Sequence, residues 1–251
     1  MDPNNKPKAE HPNSQQQQEP GPLENKPIPK PRHHGPANHN QHVSDPLAHF
    51  LTIPWAAALL TDPAVLGIEV TDRRPRPDGY ARLMRSVVNG SGTVRACVSF
   101  VTMRSEGSSV ASRGESGGGD GGGGGGGGGR TKTREDPKRP FLQFHVLLDV
   151  GEDLCGYPGV MHGGAIMLML DEAMGSAANR SQHVVAVTAA MKVRFSKVIK
   201  LPAVVLVRAR VVKKQGRRIT VRGSVENSKG EIHAEAESVH VIQTLQRKAK
   251  L

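Results

Sequence analysis

Gly159-Val160-Met161-His162-Gly163-Gly164-Ala165-Ile166-Met167-Leu168-Met169-Leu170-Asp171-Glu172 is the stretch whose reading decides the fold. Apolar residues at Ile166, Met169, Leu170, Ala173, Met174 and Ala177 recur at the spacing of one helical face. Met167 and Leu168 are apolar as well, so the spacing predicts a helix over 164–178 enclosed by protein on most sides. Gly163 and Gly164 strip side chains from its first turn. The free N–H groups there, with the positive end of the helix dipole, suit an oxygen that gains negative charge. Asp171 sits on the same helix, and a buried carboxylate needs a partner or a task. Eight residues separate it from Gly163, about 12 Å of rise, too far for one small reacting centre. If both serve one site, a second copy of the chain supplies one of them.

Downstream the period changes to two. Val187, Ala189, Met191, Val193 and Phe195 are expected on one face of a strand, with Thr188, Lys192, Arg194 and Ser196 on the other. Ala203–Val212 is a longer apolar run. Ile219, Val221, Gly223 and Val225 alternate with polar residues, as do Ile232, Ala234 and Ala236. Gln215-Gly216 and Asn227-Ser228-Lys229-Gly230 read as the turns between them. Earlier strands are expected at Val94–Met103 and Phe141–Asp149. An antiparallel sheet with one apolar face needs a cover, and the 164–178 helix is the obvious one. Pattern alone therefore gives an α+β class, which several sandwiches would satisfy.

Gly156 through Ala165, with Asp171 nine residues after His162 and Gly175 four further on, resembles the hotdog-fold thioesterases. It is most similar to the PaaI- and THEM-type acyl-CoA thioesterases, including fungal proteins of that group. The resemblance covers roughly residues 141–244, with a weaker match from His49-Phe50 through Asp62-Pro63. It implies a hotdog fold, an antiparallel sheet wrapped round a central helix. It further implies an enzyme that hydrolyses acyl-CoA. Gly163, with Gly164, would polarise the thioester carbonyl, while Asp171 of a facing subunit acts as general base or nucleophile. Thr188 occupies the position of an assisting threonine, and His162 shapes the turn. Met167, Met174 and Met191 would line the acyl pocket, with Lys197 among the residues expected to bind substrate. Coenzyme A enters as part of the substrate, so neither a cofactor nor a metal is expected. A homodimer or a dimer of dimers is expected.

Three departures from the family pattern bear on substrate contacts. Ser196-Lys197-Val198 lacks a proline common after that strand, Ala190 replaces an asparagine, and Gly156 stands where some relatives carry an amide. Rival readings are a non-catalytic acyl-CoA-binding protein and a hotdog hydratase or dehydratase, the latter because Glu172 adjoins Asp171.

The chain has 251 residues and a formal charge of +11. Residues 1–44, rich in Pro, Gln, Asn and His, are expected to be disordered. Residues 45–103 read as lead-in helices, broken at Pro54, followed by a first strand. Residues 104–139, including nine consecutive glycines from Gly121 to Gly129, read as a flexible insertion. Residues 140–246 hold the hotdog core. Lys192, Arg194, Lys197, Lys200, Arg208, Arg210, Lys213, Lys214, Arg217, Arg218 and Arg222 gather in one short stretch. With aromatics at only 3%, stacking platforms for nucleic acid are missing, and coenzyme A phosphates are the better match. No membrane span is expected. Two cysteines, Cys97 and Cys155, argue against a disulfide framework, and a cytoplasmic location is the expectation.

Overall fold

The computed structural model describes residues 38–103, 133–134, 142–182 and 185–243. Of the tail expected over 1–44, residues 1–37 lie outside the described residues, as does nearly all of the glycine-rich insertion expected over 104–139.

Two short helices come first, α1 (Pro46–Leu51) and α2 (Pro54–Leu60), each with proline in its first turn, where the missing N–H has no helical partner to lose. Asp45 caps α1 by accepting from the Ala48 N–H at 3.0 Å. Strands β1 (Val65–Val70), β2 (Val94–Thr102), β3 (Thr133–Arg134) and β4 (Gln143–Val150) follow. A small hairpin, β5 (Cys155–Tyr157) and β6 (Val160–Met161), leads into helix α3 (Gly163–Gln182). The chain then forms β7 (Ala186–Phe195), β8 (Ala203–Gln215), β9 (Arg218–Glu226) and β10 (Ile232–Ile242). One antiparallel sheet runs β1-β2-β4-β8-β9-β10-β7, with β3 added beside β8. Such a sheet round a helix fits the hotdog arrangement.

Helix α3 buries the expected face: Ile166, Met169, Leu170, Ala173, Met174 and Ala177 all lie in the core. It packs on β4, β7, β8, β9 and β10. Gly223 makes room for it. A Cβ there would stand 3.0 Å from the Met174 Cγ and Sδ and 3.1 Å from the Arg208 carbonyl. The opposite face of the sheet carries α1 and α2, whose Phe50, Ala56 and Leu60 pack with Ala96, Val98, Phe100, Leu147 and Leu206. Buried Asp149 ties these layers together, accepting from Arg95 at Oδ1 and pairing at 2.9 Å with His49 at Oδ2.

Four expectations need correction. Helix α3 is not enclosed on most sides within one chain, because Met167 and Glu172 are exposed and Asp171 is half-buried. Strand β1 was not expected; it is short and its pairing with β2 is broken by a register shift between Val65 and Gly67, which hides the alternation. Residues 38–44, placed with the tail, join the fold: buried Gln41 donates to the Thr71 and Cys97 carbonyls and accepts from the Cys97 N–H. The faces of β7 also change. Val239 lies opposite Ala190 but His240 opposite Thr188, so Ala189 is an extra residue. Ala186 and Thr188 therefore face the helix together with Met191 and Val193, while Val187 turns outward.

His145 on β4 gives a test of the core. It is buried, stacks on Phe100 at 4.7 Å between centroids, and shares a 2.8 Å hydrogen bond with the Thr102 hydroxyl. Burial, with the nearby Arg208 charge, lowers its pKa from 6.5 to about 3. The unfolded chain thus binds a proton that the folded chain refuses between those two values. Stability from this residue is fully present above pH 6.5 and is lost as pH falls toward 3, by at most about 1.4 kcal/mol per pH unit. Denaturant unfolding across this range should show a shallower loss in His145→Leu than in the wild type; equal slopes would contradict the assignment.

Candidate functional site

The β5–β6 hairpin delivers the chain to the start of α3. The His162 N–H donates to the Leu154 carbonyl at 2.8 Å, and the His162 carbonyl accepts from Ala165 and Ile166. The imidazole of His162 accepts at Nδ1 from the Gly164 N–H at 2.8 Å. His162 therefore caps the helix with its side chain, and its Nδ1 is the unprotonated nitrogen. Two glycines shape its place. A Cβ on Gly156 would stand 2.8 Å from the His162 Cδ2, and one on Gly164 would stand 2.9 Å from Nδ1.

This cap changes the roles available to the glycines. Gly164 has spent its N–H on His162, whereas the Gly163 N–H meets no acceptor among the described residues. The ring of Phe195, at the end of β7, lies 3.4 Å from where a Gly163 Cβ would be. One free backbone donor thus stands at the positive end of a 20-residue helix.

Two turns up the helix, Asp171 accepts at Oδ1 from the Thr188 hydroxyl at 2.7 Å. Thr188 also contacts Nδ1 of His240 at 3.4 Å, and Nε2 of His240 lies 2.8 Å from the Ser238 hydroxyl. Since Thr188 gives its one proton to Asp171, it accepts from His240 Nδ1–H, and Ser238 then donates to Nε2. The row Ser238–His240–Thr188–Asp171 holds the carboxylate in one orientation and leaves Oδ2 without a partner among the described residues. Burial lowers the His240 pKa, against the pull of Asp171, which favours the neutral ring this row requires. His240 and Ser238 escape a reading of the sequence alone; the only clue is a histidine at an inward position of a core strand.

The remaining expected residues are spread out. Met174 is fully buried against Gly223, Met191 packs at the margin of the core, and Met167 lies open on the same side of α3 as Asp171. Lys197 donates to Glu231 at 2.7 Å on the surface. Within the basic stretch three residues form cross-strand pairs: Arg194 with Glu235, Arg208 with Glu226, and Arg222 with Glu237. Cys155 is exposed and Cys97 buried. Among the described residues no helix is long and apolar enough to cross a membrane.

Residues 158–234 match the family model of the thioesterase superfamily. Among solved structures, the chain is similar to a thioesterase superfamily protein at 24% identity and a TM-score of 0.38, over 39% of this chain and 48% of that one. It thus spans about half the length of that protein. The Streptococcus mutans protein solved with acetyl-CoA is 25% identical, with a TM-score of 0.38, over 40% of this chain and 81% of the other. The E. coli PaaI protein of the phenylacetic acid degradation operon is 19% identical, with a TM-score of 0.39, over 41% and 73%. No curated protein matches the chain.

If the His162 ring caps α3, His162→Ala should cost about 1 kcal/mol. That corresponds to a fall in Tm of roughly 2–4 °C for a chain of this size. An unchanged Tm would show that the cap does not hold the helix start.

Proposed function

We propose, from the premise that residues 158–234 match the thioesterase superfamily, that this chain hydrolyses acyl-CoA thioesters at a site completed by a second copy of itself. The observation that carries this reading is the division of labour along α3. A free Gly163 N–H stands at its start, and an oriented carboxylate, Asp171, stands about 12 Å away.

A two-fold axis brings the two groups together. When identical helices run antiparallel, residues equally distant from the axis become neighbours. The midpoint between Gly163 and Asp171 is Met167, the exposed large apolar residue of α3. Beside it the sheet ends at β7, a ten-residue edge strand whose Val187 and Phe195 are 48% and 49% exposed. A long edge of this kind invites pairing with another strand. Joining two copies along β7 would set Gly163 of each chain near the partner's Asp171, on both sides of the axis.

In that site the thioester carbonyl oxygen accepts from the Gly163 N–H. Asp171 takes a proton from water, whose oxygen attacks the carbonyl carbon. The C–S bond breaks, the carboxylic acid forms, and the proton held by Asp171 returns to the coenzyme A sulfur. Thr188 keeps the carboxylate aimed, backed by His240 and Ser238. Gly164 has no part in carbonyl binding here, because its N–H is held by His162. Glu172 opens toward a different cavity and does not join Asp171, which weakens the hydratase reading.

Free-thiol release from short, long and aryl acyl-CoAs tests this directly. Asp171→Ala should lose about 10²–10⁴ of the turnover, the usual share of a general base, while keeping the wild-type circular dichroism. Thr188→Val should lose less. Turnover that survives in folded Asp171→Ala would move the chemistry to another residue.

A further inference from the structure

A cavity of about 360 Å³ lies on the other flank of α3, between the helix, β1, β2, β4 and the segment 71–85. Met169, Glu172, Ala173, Ser176 and Arg180 are its helical wall. At roughly 100° per residue their shared direction lies about 150° round the helix from Asp171. The sheet order agrees, since β1 and β7 are its two ends. This cavity is therefore separate from the Asp171–Thr188 site.

Arg73 stands out within it. Its side chain lines the cavity yet the residue is only 2% exposed. The guanidinium donates through Nη2 to the Met84 and Val88 carbonyls, but Nε finds no acceptor. No carboxylate among the described residues forms an ion pair with it. Glu69 is taken by Arg180, and Asp72 by Arg74 and Arg85. Burial pushes the Cys97 thiol up, so it stays neutral beside the guanidinium. Glu172 shares the cavity and feels the Arg73 charge without touching it. Although its side chain is open at the surface, desolvation by the cavity walls, then the Asp171 charge, raises its pKa. A buried cation without its counter-ion is costly, and with Nη2 held by two carbonyls the guanidinium can still make a single charge-assisted hydrogen bond to a carboxylate. Val146, Leu148, Met169 and Ala173, with Ala81 and Met84, form an aliphatic wall, while Glu69, Asp72, Arg85, Glu172 and Arg180 make the rest of the lining largely polar.

We infer that this cavity is a binding site for a medium-chain aliphatic carboxylate, its head on Arg73 and its tail against the Val146–Leu148–Met169–Ala173 wall. A 360 Å³ space holds about a dozen water-sized groups at ~30 Å³ each, so octanoate fits. The inference does not depend on the hydrolysis reading, because none of the residues of the Asp171 site takes part.

Calorimetric titration of the full chain with octanoate tests it, with 1-octanol as the uncharged control. Saturable binding to wild type is expected, weakened about tenfold or more by Arg73→Met, the loss of one charge-assisted contact. Ser176→Trp, which fills the cavity from its rim, should abolish binding, and octanol should bind at least about tenfold more weakly than octanoate. Asp171→Ala should bind octanoate as the wild type does, whether or not it has lost thioester turnover. If Arg73→Met fails to fold, Ser176→Trp and the octanol comparison decide the question. The inference is overturned by no saturable binding, by octanol binding equally well, or by binding that Ser176→Trp spares and Asp171→Ala removes.

Discussion

An α-helix rises about 1.5 Å per residue, and that fixed rise governs how this chain can work. Gly163 offers an N–H at the positive end of α3, and Asp171 offers a carboxylate eight residues on. No rearrangement of side chains can close the gap between them within one helix. Two helices running in opposite directions close it without distortion, because each start then lies beside the other's acid. The proposed pairing would cover Met167, bare at the midpoint, and the edge strand β7, whose Val187 and Phe195 are half exposed.

The two flanks of α3 are built differently. On the β7 side the side chains form a short polar row in which each hydroxyl or ring has a partner, and the row ends on Asp171. On the β1 side a buried cation, Arg73, lines a cavity with one aliphatic wall, and its Nε has no acceptor. The buried stripe from Ile166 to Ala177 separates them and supplies the rigid contact with the sheet. The helix thus acts as a partition, with water-directed chemistry proposed on one side and ligand capture on the other.

Much of this was legible in the residues. The helix face follows from its 3.6-residue period, and the four late strands follow from alternation and from Gly216 and Gly230 at positive φ in the turns. The failures have local causes. Alternation cannot reveal a bulge, so Thr188 was assigned the outer face of β7 until the pairing of His240 moved it inward. Gln41 sits in a polar, low-complexity stretch, yet its amide serves the backbone of Thr71 and Cys97 as a strand neighbour would. A count of charges along the chain also does not show that three of the basic residues, Arg208, Arg194 and Arg222, are paired with Glu226, Glu235 and Glu237 of neighbouring strands. The hydrogen bond from the Gly164 N–H to the His162 ring is likewise not visible in the sequence.

The central claim is that each reacting centre draws its N–H from one chain and its carboxylate from another. Mixing two inactive variants tests it most directly. Gly163→Pro deletes the N–H with a residue accepted at the first helical position, its Cβ coming into van der Waals contact with the Phe195 ring, and Asp171→Ala deletes the carboxylate. After denaturation and joint refolding, mixed dimers hold one centre with both defects and one with neither, so acyl-CoA hydrolysis should return. If each variant refolds and pairs yet the mixture stays as inactive as its components, the two groups do not meet across an interface and the account fails.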